Sequence, residues 1–178
     1  MLNSQTALIV VDVQTGTAEY QHTRPVDEVV TNVNTVARAV RAAGGHVVII
    51  RHNPAATPSG ATQYGGGPRS APVAYGNLLV ERVDGDTDLT RGGWSAFTGT
   101  GLHEQLQARG TTRVVIVGQA TTFGVESTAR AAYDLGYDIV IVEDATNDPN
   151  PGAHADRFRS IFPALGTTTT TAAFDTRN

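Results

Sequence analysis

The stretch VVIVGQATTFGVESTARAA, residues 114–132, holds the reading that decides the fold. Its first four residues are apolar and β-branched. A polar residue precedes them, and a glycine follows. A run this short, apolar on both faces, suits a buried strand better than a helix. From Glu126 the chain turns Ala-rich and continues as ESTARAAYDLGY to a stop at Gly136, which reads as a helix. Between strand and helix stands QATTFG (119–124). Turn amides ahead of a helix can gather negative charge. Such turns often present a nucleophile, yet this one has no cysteine, and neither does the rest of the chain.

The same rhythm extends in both directions. TALIVVDV (6–13), HVVIIRH (46–52), RVVIVGQ (113–119) and YDIVIVED (137–144) are apolar runs suited to a covered parallel sheet, and LGTTTTTAAF (165–174) is a weaker fifth strand. Helical spacing of Val26, Val29, Val30, Val33, Val36 and Val40 places a helix after Pro25, stopped by Gly44-Gly45. LHEQLQARG (102–110) reads as a short helix. PGAHADRFRSIFPALG (151–166) reads as the last helix, broken at Pro163. Strand and helix in alternation predict a single α/β domain over residues 1–178. Its doubly wound, mostly parallel sheet would have about five or six strands, with helices on both faces. Ligands of such folds bind beyond the carboxyl ends of the strands. Residues 53–77, rich in Gly, Pro, Ser and Thr, are too long for a plain connector and read as a lid or an insertion.

Composition narrows the function. A net charge of −4 argues against a nucleic-acid or anionic-membrane binder, which works through a basic surface. No apolar run is long enough to span a bilayer. The N-terminal MLNSQTALIVVDVQ lacks a basic region ahead of its apolar run, so a cytoplasmic location is expected. No phosphate loop or dinucleotide fingerprint is present, and no cofactor is expected. All thirteen basic residues are arginine. Coding bias accounts for this, as would a ligand reactive toward soft nucleophiles.

Three segments carry candidate chemistry. Asp12 ends the first apolar run, either as an acid–base group or as an anchor for the next loop. Arg91 opens RGGWSAFTGTGL, either as a pocket cation or as a surface arginine. The 119–124 turn either forms an oxyanion site or only turns the chain. Thr121 and Thr122 are weak substitutes for a nucleophile, since no histidine neighbours them in sequence.

Taken in this order, ALIVVDVQ, RGGWSAFTGTGL and VIVGQATTFGVESTARAAYDLGYDIVIVEDA resemble the isochorismatase-like hydrolases, a superfamily that includes nicotinamidases and other cysteine amidohydrolases. The resemblance spans nearly the whole chain. It implies an active-site triad of Asp, Lys and Cys, of which this chain keeps only Asp12. Arg91 stands at the Lys position and Gly124 at the Cys position. Glycine cannot attack a carbonyl, so covalent thiol catalysis is excluded. A guanidinium does not shuttle protons, yet it can hold a carboxylate or developing negative charge.

The resemblance also implies that Gln14 orients the loop or a polar substrate group. Trp94 and Phe97 would either wall the pocket or pack in the core, and Phe123, beside Gly124, would fill space that a thiol and substrate share. The amides of Ala120 and Gly124 would receive an oxyanion, and the Gln119–Ala120 bond would be cis. Independently of the resemblance, Arg51 and His52 end the second strand, either to meet an anionic substrate or as a solvated strand end. The Asp-x-His metal pair of some relatives is not recreated, and His22, His46 and His154 stand isolated, so no metal is expected.

The expected function is therefore thiol-independent hydrolysis of a small organic metabolite, an enol ether or related anionic substrate, with Asp12 as acid or base. Isochorismatases that lack the cysteine provide the likeness. The alternative is a non-hydrolytic member that binds, sequesters or rearranges a reactive natural product. The family likeness further implies a homodimer or homotetramer.

Overall fold

The protein is described by a computed structural model covering residues 2–20, 23–63 and 66–175. Its strands are β1 (Thr6–Val11), β2 (His46–His52), β3 (Thr87–Arg91), β4 (Arg113–Gln119), β5 (Asp138–Asn147) and β6 (Thr167–Thr169). They form one sheet in the order β3-β2-β1-β4-β5-β6, and every pairing is parallel. The helices are α1 (Thr15–Ala18), α2 (Val26–Ala42), α3 (Leu102–Ala108), α4 (Glu126–Asp134), α5 (Pro151–Asp156), α6 (Phe162–Leu165) and α7 (Thr171–Asp175).

Alternation along each strand splits the interior into two layers. Ala7, Ile9 and Val11 of β1 face a core shared with Leu102 and Leu106 of α3, Ala129 of α4 and Phe162 of α6. Leu8 and Val10 face the other way, onto Val33, Val36 and Val40 of α2 and Phe174 of α7. Burial on both faces accounts for the continuous apolar runs of the central strands. No helix among the described residues is long and apolar enough to cross a membrane.

Three elements differ from the sequence expectation. β3 was not anticipated as a strand. It is a polar edge segment, TDLTR, held by its pairing with β2 rather than by an apolar run. The run 165–174 is strand only over Thr167–Thr169, after which Asp144 Oδ1 accepts from the amide and hydroxyl of Thr171 at 2.7 and 2.8 Å and α7 begins. The 151–166 helix is therefore not the last. It also runs through Pro163, because a wider turn at Arg157–Ile161 precedes α6 and places the proline near that helix's start.

The sheet reverses its winding between β1 and β4, where doubly wound folds open a crevice at the strand ends. Asp12 follows β1, His52 ends β2, Arg91 ends β3, and the 120–124 turn follows β4.

Candidate active site

Asp12 is turned inward by its backbone. Its φ of 53° is unusual for a residue with a side chain. Its N–H donates to Ile50 O at 2.9 Å, and its carbonyl accepts from Thr17 Oγ1 at 2.5 Å and Gln119 Nε2 at 3.4 Å. The carboxyl is almost wholly buried. Burial pushes its pKa up to about 6, against the pull of the adjacent Arg91 charge, which lowers it.

Arg91 reaches Asp12 from two strands away. The guanidinium crosses the end of β2, roughly 9–10 Å of sheet. Nη2 bonds Asp12 Oδ2, and Nη1 bonds Gly93 O. Both partners are buried. Asp12 Oδ1 and Arg91 Nε have no hydrogen-bond partner among the described residues.

Gly124 completes the trio. A β-carbon there would lie 2.7 Å from Arg91 Nη2 and 2.8 Å from Val11 Cγ1. The residue lies in a wide helical turn, Thr121–Val125, which follows a cis Gln119–Ala120 bond.

These three residues line a cavity of about 310 Å³ together with His52, Trp94, Ala120 and Phe123. Trp94 and Phe123 meet edge to face at 5.1 Å on its rim. The sequence did not single out Thr17, Tyr20, Tyr75 or Pro149, which also line it, as does Gln119 of the cis bond. Tyr75 was hidden inside the 53–77 segment, where no periodicity marks which side chain turns inward.

Of the expected pocket residues, Arg51 and Phe97 lie elsewhere, and Gln14 orients the loop from outside the lining. Arg51 is committed to Asp88 through bonds of 2.9 and 2.6 Å, because alternation along β2 sends it away from the His52 side. Phe97 stacks on Tyr137 at 5.9 Å and packs against the core. Gln14 is buried behind the wall. Its Oε1 accepts from His52 N at 2.8 Å, and its Nε2 donates to His52 O and Tyr75 O, both at 3.1 Å. It ties the end of β2 to the turn at Val73–Gly76.

His52 lines the cavity with its ring 3.3 Å from Tyr75 Oη and from Thr57 Oγ1. Burial, helped by the Arg91 charge, lowers its pKa to about 4, so the imidazole is neutral at pH 7. Burial raises Tyr75 to about 12, so its phenol keeps its proton.

His154, isolated in sequence, is not isolated in space. Its Nδ1 lies 2.9 Å from Thr121 Oγ1, and that hydroxyl donates to Asn147 O at 3.0 Å. One hydroxyl hydrogen cannot serve both, so His154 Nδ1–H is the donor, and burial, which lowers the ring's pKa, favours the neutral form with no proton on Nε2. A base in this state does not take a proton from Thr121, which is fully buried and absent from the cavity lining. The pair anchors the turn. No cluster of His, Cys, Asp or Glu among the described residues has the makings of a metal site. His22 lies outside the described residues.

Comparison with known proteins agrees with this layout. The family model for the isochorismatase domain matches residues 6–173. An uncharacterized isochorismatase family protein of Escherichia coli O157:H7, YecD, is 34% identical over 179 residues, covering 92% of each chain. The ureidoacrylate amidohydrolase RutB of Klebsiella pneumoniae is 32% identical over 83% of this chain and 75% of its own. The solved structure of an isochorismatase family protein from Burkholderia thailandensis superposes with a TM-score of 0.93 at 31% identity, covering 99% of this chain and 96% of that one.

Proposed function

Because the chain belongs to the isochorismatase family of hydrolases, we propose that it hydrolyses a small organic metabolite with Asp12 as the acid–base group and without a covalent intermediate. One observation carries this reading. The buried Asp12 carboxyl shares the cavity with an arginine whose guanidinium fills the space of a side chain at position 124. A thiol route of the kind open to cysteine-bearing amidohydrolases is closed, since the chain has no cysteine.

An enol ether is the substrate class that suits such a site. Protonated Asp12 delivers its proton to the terminal alkene carbon, leaving an oxocarbenium ion and a carboxylate paired with Arg91. Water adds to the cationic carbon and gives its proton to Asp12. The hemiketal then collapses, and its hydroxyl proton passes to the departing oxygen. One ketone and one alcohol form, and Asp12 is again protonated. The amides of Ala120 and Gly124 receive the charge gathering on the departing oxygen. Incubation with cyclic enol ethers that are neutral or singly charged, with isochorismate as the doubly charged comparison, and with Asp12→Asn set against wild type, tests the reading. Full turnover by the variant, or none by wild type, removes it.

A second reading rests on one observation. Among the described residues no amine or thiol lines the cavity, and the chain has neither lysine nor cysteine. Such a site suits holding a reactive electrophile without being modified. Tight binding that survives Asp12→Asn, with no product by mass spectrometry, would favour it.

A further inference from the structure

Charge and shape in the cavity limit what can enter it. Arg91 is the sole cation among the described lining residues, and Asp12 faces it. Both terminal nitrogens of that guanidinium are engaged, Nη2 by Asp12 and Nη1 by Gly93 O. The His52 imidazole is neutral at pH 7. Arg51, one residue away on β2, is locked to Asp88. The Arg91 charge can serve one anionic group at most, its partnerless Nε being buried. A second would lose its water with no cation to meet it.

The walls are aromatic. Trp94 and Phe123 stand edge to face at the rim, and both rings are about half exposed, at 59% and 47%. Tyr75 and His52 also line the cavity, their rings 6.2 Å apart. Tyr75 is held in place from behind. A β-carbon on Gly16 would lie 1.9 Å from its ring, so the ring lies flush on a residue without a side chain. Gln14 grips its carbonyl. The two ends of segment 53–77 are tied down in the same region, with Asn53 N donating to Arg91 O and Thr15 N donating to Asn77 O, both at 2.9 Å. Aromatic side chains fixed in this manner select flat ligands at small ordering cost. The volume, about 310 Å³, lies at the low end of the roughly 300–1,000 Å³ of small-molecule sites.

We infer that the site takes a single-ring substrate bringing at most one negative charge, that Tyr75 enforces this choice, and that dicarboxylates are rejected. This concerns the same site as the proposed hydrolysis and names the substrate class for it.

Trp94 is the chain's one tryptophan and lines the cavity, so its fluorescence reports occupancy without any turnover. Benzyl alcohol, benzoate and phthalate form a series of neutral, singly and doubly charged rings. The first two are expected to quench saturably, with phthalate at least about tenfold weaker at pH 7. Tyr75→Ala is expected to weaken benzoate about tenfold, while Tyr75→Phe keeps the ring and changes affinity less than about threefold. Phthalate binding as tightly as benzoate overturns the inference. So does the absence of saturable quenching by any of the three, or benzoate affinity unmoved by Tyr75→Ala. Selective binding without hydrolysis of any enol ether leaves this inference standing and removes the proposed reaction. Hydrolysis of dicarboxylate and uncharged enol ethers with equal kcat/KM does the reverse.

Discussion

The guanidinium of Arg91 occupies the volume that a side chain on Gly124 would need, with only 2.7 Å between Nη2 and the site of a β-carbon. The two positions are therefore coupled. A long, forked cation reaches Asp12 because residue 124 has no side chain, and residue 124 has no room for one while the cation is there.

Gly124→Cys alone is expected to lower stability by about 1–3 kcal/mol through overpacking, read as a fall of several degrees in Tm. Adding Arg91→Lys should recover at least half of that loss, because the shorter ammonium vacates the space. Strictly additive losses in a double-mutant cycle would show that the positions are independent.

Proton delivery by Asp12 has a definite pH signature. With a carboxyl pKa near 6, kcat/KM for an enol ether should be level at low pH and fall about tenfold per unit above pH 6. Arg91 pulls this pKa down, so Arg91→Met should move the midpoint upward. A rate that instead rises through pH 6 would make Asp12 a base. Folded Asp12 holds its proton more tightly than an ordinary aspartate, whose pKa is 3.8. Its contribution to stability is thus complete below that pH and lost as pH rises through about 6. The Tm difference between wild type and Asp12→Asn, followed over that window, reads this directly.

Removing Gln14 should disturb the wall without touching the chemistry. Gln14→Ala removes the partner of His52 N, His52 O and Tyr75 O in a partly buried place. The expected loss is about 2–4 kcal/mol, from unsatisfied groups plus a cavity. Weaker ring binding by Trp94 fluorescence should accompany it. Unchanged stability would mean that water replaces the amide.

The Thr121–His154 contact should prove structural. Thr121→Val leaves His154 Nδ1–H and Asn147 O without their partner, costing about 1–3 kcal/mol. Turnover per folded molecule should change less than about threefold, far short of the roughly 100-fold or greater loss expected when an acid–base group is removed. A loss on that scale would reinstate Thr121 as part of the chemistry.

Gly16→Ala should unseat Tyr75, since even a methyl group would overlap its ring. Benzoate binding should weaken about as much as in Tyr75→Ala. Retained affinity would show that the ring has another resting place.

Much of this was legible in the chain. Strands buried on both faces are continuous apolar runs, so β1, β2, β4 and β5 declared themselves within a residue or two, apart from the longer carboxyl end of β5. β3 did not, because a polar edge strand is defined by its neighbour's hydrogen bonds and not by its own pattern. The tail after Thr169 misled for a similar reason: its threonines favour a strand, and one aspartate, Asp144, starts a helix instead.

Sequence alone determined the class of the fold, the absence of a thiol, and the three segments that meet. Periodicity records which faces are buried, and composition records which functional groups exist. Tertiary structure decided that Arg91 bonds Asp12 across β2, that Arg51 and Phe97 turn elsewhere, and that Tyr75 supplies a wall. Those outcomes depend on which side of each strand a residue faces and on how far a side chain must reach. Neither quantity is set until the strands are in register.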